Sequence, residues 1–242
     1  MEQFVAEREA LGCIAWIRDW VEHCSGGAKG IVIGISGGKD STVAAALCAR
    51  AVGAHRVFGV LMPNHRQSDI EDSVAVCKAV GIDYRVADIG ALFDAALALT
   101  CPGDEAKVNL APRLRMAVLY AIAQTRNYRV CGTGNACERY VGYTTKWGDS
   151  ASDFNPLAGF TVSEVMALGD WLELPRPLVH KTPSDGLSGL SDEEKMGVTY
   201  GEIEARMRGE NLSEAKNAAI DRLHRLAEHK VNPVPTYLSI TT

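Results

Sequence analysis

Residues Ile33 to Ser41 read IGISGGKDS, and their types could hold a nucleotide phosphate. Gly37 and Gly38 carry no side chains, so backbone N–H groups can close around an anion there. Ser36, Ser41 and Thr42 add hydroxyl donors. A helix starting near Asp40 would point its positive end at the same spot. Asp40 itself would repel a phosphate. It makes sense if a divalent cation lies between them, and hard oxygen ligands suit Mg²⁺. The segment is not a Walker A loop, because Asp40 follows Lys39 and no glycine stands five residues before Gly38. A lone Gly-Gly-x-Asp would read more plainly as an aspartate-capped turn. A strand before it and a helix after it suit both readings.

Further along, charged residues recur without a structural period to explain them. Arg113 and Arg115 stand two apart at the start of a helix and cannot share one face. One is expected to reach a ligand and the other to pack or pair; a buried arginine suits a carboxylate or phosphate. Glu138 falls six residues after Gly132, beyond a strand end. With Asp40 it would give Mg²⁺ two hard ligands from adjacent strands. The run YTTKWGDSASD, 143–153, fits neither a helix face nor a core strand. His229-Lys230 ends a helix, where it would also complement the helix dipole.

SGGKDS resembles the SGGxDS loop of the N-type ATP pyrophosphatases, which split ATP to AMP and pyrophosphate by adenylating a substrate. Later segments narrow the choice. VNLAPRLRMAVLYAIA (108–123), CGTGNACERYVGYTTKWGDSASDFNP (131–156) and KTPSDGL (181–187) resemble ammonia-dependent NAD synthetase in order and spacing over nearly all of residues 5–235. The resemblance implies a Rossmann-like three-layer α/β/α fold and a homodimer. It implies amidation of deamido-NAD by ammonia, with ATP as co-substrate and Mg²⁺ as cofactor. Residue by residue, it implies that Gly34, Ser36, Gly37, Gly38, Lys39, Asp40, Ser41, Thr133 and Ser184 contact ATP. Arg113, Lys146, Asp153, His229 and Lys230 would contact deamido-NAD, and Asp40 and Glu138 the metal. Asp40 and Asp149 would be catalytic, Asp149 by holding or deprotonating ammonium.

The chain also departs from the pattern. A lysine that commonly contacts ATP is replaced by Val162, which leaves Lys39, Lys181 or another base to supply the charge. Pro112 stands where alanine is usual and is expected in a first helical turn. Related adenylating ligases remain as alternatives, such as the synthetase of GMP synthetase or an asparagine-type amidotransferase, as does a non-catalytic nucleotide sensor. Thiolating, lysidine-forming and zinc-dependent deazapurine relatives would want catalytic or clustered cysteines or a basic RNA surface.

The elements that would carry these residues alternate. Helices are expected at 3–22, 40–52, 67–80, 89–99 and 110–126, and strands at 30–35, 56–61, 84–87 and 128–131. That alternation predicts a mostly parallel sheet with helices on both faces and ligands at the strand carboxyl ends. The stretch after Gly142 reads as irregular to about 161. Helices follow at 162–172, 199–208 and 213–229, with a proline-marked loop from 175 to about 192. The 242 residues read as a single domain, 1–242, with no glutaminase domain. A net charge of −5 opposes a general nucleic-acid surface. No apolar run is long enough to span a membrane. Seven scattered cysteines, an odd number without CxxC spacing, fit a reducing cytoplasm.

Overall fold

The run GIVIG is apolar on every side chain it carries, and it becomes the strand buried on both faces. In the computed structural model, which describes residues 3–66, 69–101, 103–181 and 191–237, this is β1, Gly30–Gly34. It lies between β2, Val57–Leu61, and β4, Tyr128–Cys131, with β3, Asp83–Val86, outside β2. The order is β3-β2-β1-β4 and every pairing is parallel, with Ile31 opposite both Val57 and Arg129.

Alternation along the strands divides the core. Ile31, Ile33, Val57 and Leu61 face one layer of helices: α1 (Ala6–Asp19), α2 (Lys39–Val52), α3 (Ile70–Val80) and α7 (Val162–Trp171). Val32, Phe58, Val60 and Val130 face the other, formed by α4 (Gly90–Thr100) and α5 (Asp104–Arg126). A third cluster joins α6 (Ala136–Val141) to α7, α10 (Tyr200–Met207) and α11 (Glu214–Val231). A short helix, α8 (Arg176–Val179), lies within the stretch read as a proline loop, and another, α9 (Asp192–Met196), begins at its end. The expected Rossmann-like α/β/α architecture with additional C-terminal helices is therefore present.

Three further local features differ from the sequence reading. The first helix passes into a π-helical turn, Trp20–Cys24, and Trp20 stacks on Phe154 with ring centroids 4.6 Å apart. α6 is a helix that the alternation did not reveal. α5 begins at Asp104 rather than 110, so Pro112 sits inside the helix and not in its first turn. A proline there removes one helical hydrogen bond. Its ring instead closes against Gly148, where an added Cβ would lie 2.9 Å from Pro112 Cβ. Among the described residues no helix is long and apolar enough to cross a membrane.

The strand order matters for the site. The chain leaves β1 towards β2 on one side and returns to β4 on the other, so a crevice opens between the carboxyl ends of β1 and β4. In open α/β sheets this reversal is where ligands bind.

Candidate active site

The loop after β1 folds onto itself through short side chains. Ser41 Oγ donates to Gly38 O at 3.1 Å, and Thr42 Oγ1 donates to the same carbonyl at 2.8 Å. Gly38 N–H donates to Ser36 Oγ at 3.2 Å. Gly37 adopts φ +82°, and a Cβ there would meet Asp72 Cβ at 2.9 Å and Ser73 N at 3.0 Å. Only glycine serves both demands. The first turn of α2, capped by Gly38, receives no side-chain cap, which leaves its N–H groups and its positive end available to an anion.

Two carboxylates meet at the crevice through one asparagine. Asn135 Nδ2 donates to Asp40 Oδ1 at 3.1 Å, and Asn135 N–H donates to Glu138 Oε2 at 3.0 Å. Asn135 and Glu138 also form the capping box that starts α6, so Glu138 holds its own helix as well as the site. Burial, reinforced by Asp40, pushes the Glu138 carboxyl up to about 8. The other Asp40 oxygen, Oδ2, lies 2.8 Å from Lys39 Nζ. Burial alone would drive the Lys39 ammonium down; Asp40 above all, then Glu138 and Asp192, lift it above the usual lysine range. Beyond it lies Tyr200, its ring centroid 5.5 Å from Lys39 Nζ. Tyr143 and Tyr200 hydroxyls both donate to Asp192, at 3.0 and 3.4 Å.

Among the described residues no three His, Cys, Asp or Glu side chains gather as a metal cage. Two carboxylates beside a phosphate loop are nonetheless the donor set Mg²⁺ uses when substrate phosphates and water complete its shell. The residues present fit that ion.

A second group gathers beside α5. Arg113 Nε donates to Lys146 O at 3.3 Å, and Lys146 Nζ donates to the His229 carbonyl. Lys230 Nζ donates to Gly142 O and Thr144 O at 2.7 and 2.8 Å. Asp149 braces the same turn, accepting from Thr144 Oγ1 at 2.9 Å and from Thr145 N–H at 2.8 Å. The two arginines diverge as their spacing requires. Arg115 turns inward to donate to Met62 O at 2.9 Å, and burial lowers its pKa against a smaller pull from Asp149. Arg113 stays exposed beside an open cavity of about 500 Å³ that it lines with Asn109, Ala106, Asp104 and Gly103.

Other expected contacts are placed less directly. Thr133 follows β4 at the crevice, and Gly34 ends β1. Asp153 is bound into the sheet edge: its Oδ2 accepts from Val130 N–H at 2.7 Å and its own N–H donates to Val130 O at 2.9 Å. Ser184 lies outside the described residues. Val162 is buried against Tyr200 and Cys137 in the third cluster. Lys181 donates to Asp69 and Asp72 at 2.7 and 2.6 Å, next to the packing point of Gly37. Asn135, Asp192 and Tyr200 were not singled out from sequence. Asn135 carries a local signal, the Asn-x-x-Glu capping box; Asp192 and Tyr200 carry none, because they reach the loop only through tertiary packing.

Residues 11–236 match the family model described as NAD synthase. The NH(3)-dependent NAD(+) synthetase of Thermococcus sibiricus is 36% identical over 235 residues, covering 90% of this chain and 91% of that protein. The solved NMN synthetase from Francisella tularensis has a TM-score of 0.91 and 36% identity, over 97% of this chain and 99% of that one. The NH3-dependent NAD synthetase from Campylobacter jejuni has a TM-score of 0.81 and 27% identity, over 98% and 100%.

Proposed function

The chain belongs to the NAD synthase family, and from that premise we propose that it is a carbon–nitrogen ligase that amidates deamido-NAD with ammonia, converting ATP to AMP and pyrophosphate. The observation that carries the reading is the Asp40–Asn135–Glu138 bridge beside the uncapped start of α2.

The geometry suits two steps. In the first, a nicotinate carboxylate oxygen attacks the α-phosphorus of ATP, and the bond to the β-phosphate oxygen breaks. The N–H groups of the Gly37–Ser41 loop and the α2 dipole meet the charge growing on pyrophosphate. Asp40 and Glu138 would hold Mg²⁺, with Asn135 fixing the angle between them. When bound, that ion neutralises phosphate charge and orients the leaving group. In the second step, ammonia attacks the acyl carbon of the mixed anhydride, loses a proton, and AMP departs. Arg113, Lys146, His229 and Lys230 bind the acidic dinucleotide, and Asp149 receives the ammonium. The protein's work is positioning charged partners and keeping water from the adenylate.

A homodimer accompanies this reading. α4 (GALFDAALALT) buries only its first glycine, and Leu99 is 86% exposed, with Leu92, Tyr84, Val86 and Val108 also exposed nearby in the chain. Leu92 and Leu99, seven residues apart and so on one side of α4, suit contact with a second copy. Free ammonia as the donor and a cytoplasmic setting complete the proposal.

The test is release of AMP and pyrophosphate with deamido-NAD and ammonium. ATP binding without AMP formation would favour a nucleotide sensor. AMP formation only with another carboxylate or oxo substrate would overturn the assignment. Asp40→Ala abolishes turnover at ordinary Mg²⁺, and a near-normal rate would remove its metal role. A second reading, the same chemistry on nicotinate mononucleotide, is favoured by the TM-score of 0.91 with an NMN synthetase. The ratio of kcat/KM for the two acids decides between them.

A further inference from the structure

A lysine in the first turn of a helix normally points to water, because the helix's positive end repels it. Lysine is also among the residues least often buried unless paired. Lys39 opens α2 and is nevertheless only 4% exposed. Its ammonium is 2.8 Å from Asp40 Oδ2 and 5.5 Å from the Tyr200 ring centroid, within the electrostatic reach of Glu138 and Asp192. Both oxygens of Asp40 are therefore engaged: Oδ1 accepts from the Asn135 amide and Oδ2 from this ammonium. A divalent cation approaching Asp40 meets a positive charge already seated there.

We propose that Lys39 is a built-in counter-ion that holds the Asp40–Glu138 pair together before nucleotide arrives and competes with the divalent cation for Asp40, so that metal enters with ATP rather than ahead of it. The inference rests on the reading of Asp40 and Glu138 as metal ligands. Lys39 is on this view a positioning residue. Without its charge, two carboxylates would face each other across Asn135, and free metal would bind them readily. With it, the site stays near neutral until the negative triphosphate draws the ammonium from Asp40 and delivers its own cation.

The test is direct binding of Mn²⁺ to the nucleotide-free full-length protein, followed by titration calorimetry and by the free-Mn²⁺ paramagnetic signal. Wild type binds weakly. Lys39→Met, close in volume but uncharged, binds about tenfold tighter or more, since a unit charge a few ångströms from a dication is worth at least about 1.4 kcal/mol. Lys39→Arg keeps the charge and stays weak. Saturating non-hydrolysable ATP analogue narrows the difference between wild type and Lys39→Met. Should Lys39→Met not fold, Lys39→Gln carries the same expectation. Equal or weaker Mn²⁺ binding in a folded neutral variant overturns the proposal. Asp40→Asn separates the two readings: if it lowers the tight binding of the neutral variant, the metal site stands whatever Lys39 does. If it changes nothing, the metal site and the proposal fall together.

Discussion

Replacing Gly37 by alanine strains the phosphate loop in two separable ways. The backbone at φ +82° lies in the left-handed region, where a residue with a Cβ costs about 1–2 kcal/mol. The new methyl would also press within 2.9 Å of Asp72 Cβ and 3.0 Å of Ser73 N, which belong to α3 and cannot swing aside as a flexible side chain would. Overpacking of that kind costs a further ~1–3 kcal/mol. Gly27 isolates the first effect, because it has φ +77° and nothing within 4 Å of a built Cβ. At about 2–4 °C per kcal/mol for a chain of this size, Gly27→Ala lowers Tm by roughly 2–8 °C, and Gly37→Ala by several degrees more. The functional readout separates them further. Moving α3 also moves Asp72 and the Lys181 paired with it, on the side of the loop where phosphate is expected. Scanning calorimetry with and without an ATP analogue therefore shows a nucleotide-induced rise in Tm for Gly27→Ala and a reduced one for Gly37→Ala. Equal Tm losses in the two variants, or full nucleotide stabilisation of Gly37→Ala, would refute the reasoning.

Glu138 predicts a pH dependence of stability. Its folded carboxyl is pushed up to about 8 from the ordinary value of 4.5, first by burial and then by Asp40. Between those values the folded protein holds more protons than the unfolded chain, so metal-free stability falls as pH rises across that window and levels off above it. Glu138→Gln flattens this slope in thermal unfolding, and an unchanged slope would assign it to other groups. Asp153 has a structural duty that Asp153→Asn preserves, because the amide oxygen can still accept from Val130 N–H. If Asp153 also binds substrate, this variant keeps its Tm while KM for deamido-NAD rises several-fold; an unchanged KM leaves it a sheet-edge residue only. Leu92→Glu combined with Leu99→Glu halves the mass measured by light scattering, and a dimer that survives both charges places the interface elsewhere.

The parts of the fold legible in sequence are those whose causes are local. β1 showed itself by an unbroken apolar run, and the phosphate loop by two glycines between a strand and a helix. The expected start of α5 at 110 rests on Pro112, a residue common in first turns, whereas the true start is marked only by the acidic Asp104 and Glu105 after Gly103, which offers no side-chain cap. Pro112 packs closely on Gly148, and that contact joins segments no local window contains. The short α6 hid for a different reason. Its six residues, Ala136 to Val141, give too little periodicity to register.

The candidate site divides in the same way, and Glu138 shows why. Asn135 and Glu138 have the spacing of a capping box, and a capping box is sufficient reason for both residues. Nothing in Asn-x-x-Glu distinguishes a helix cap from a metal ligand, because a carboxylate that accepts one N–H keeps further lone pairs to offer. The distinguishing fact is where α6 begins. It starts beside α2, so the Asn135 amide that caps one helix also reaches Asp40 on the other. Lys39 follows the same logic. At the variable position of Ser-Gly-Gly-x-Asp-Ser its charge is expected on ATP, yet in the free chain it is buried beside Asp40, 5.5 Å from the ring centroid of Tyr200 and within electrostatic reach of Asp192, both from much later in the chain. A residue's charge is written in the sequence, but whether that charge faces water or a second carboxylate depends on helices that arrive much later, and at this site the burial of Lys39 decides which cation Asp40 holds before ATP is bound.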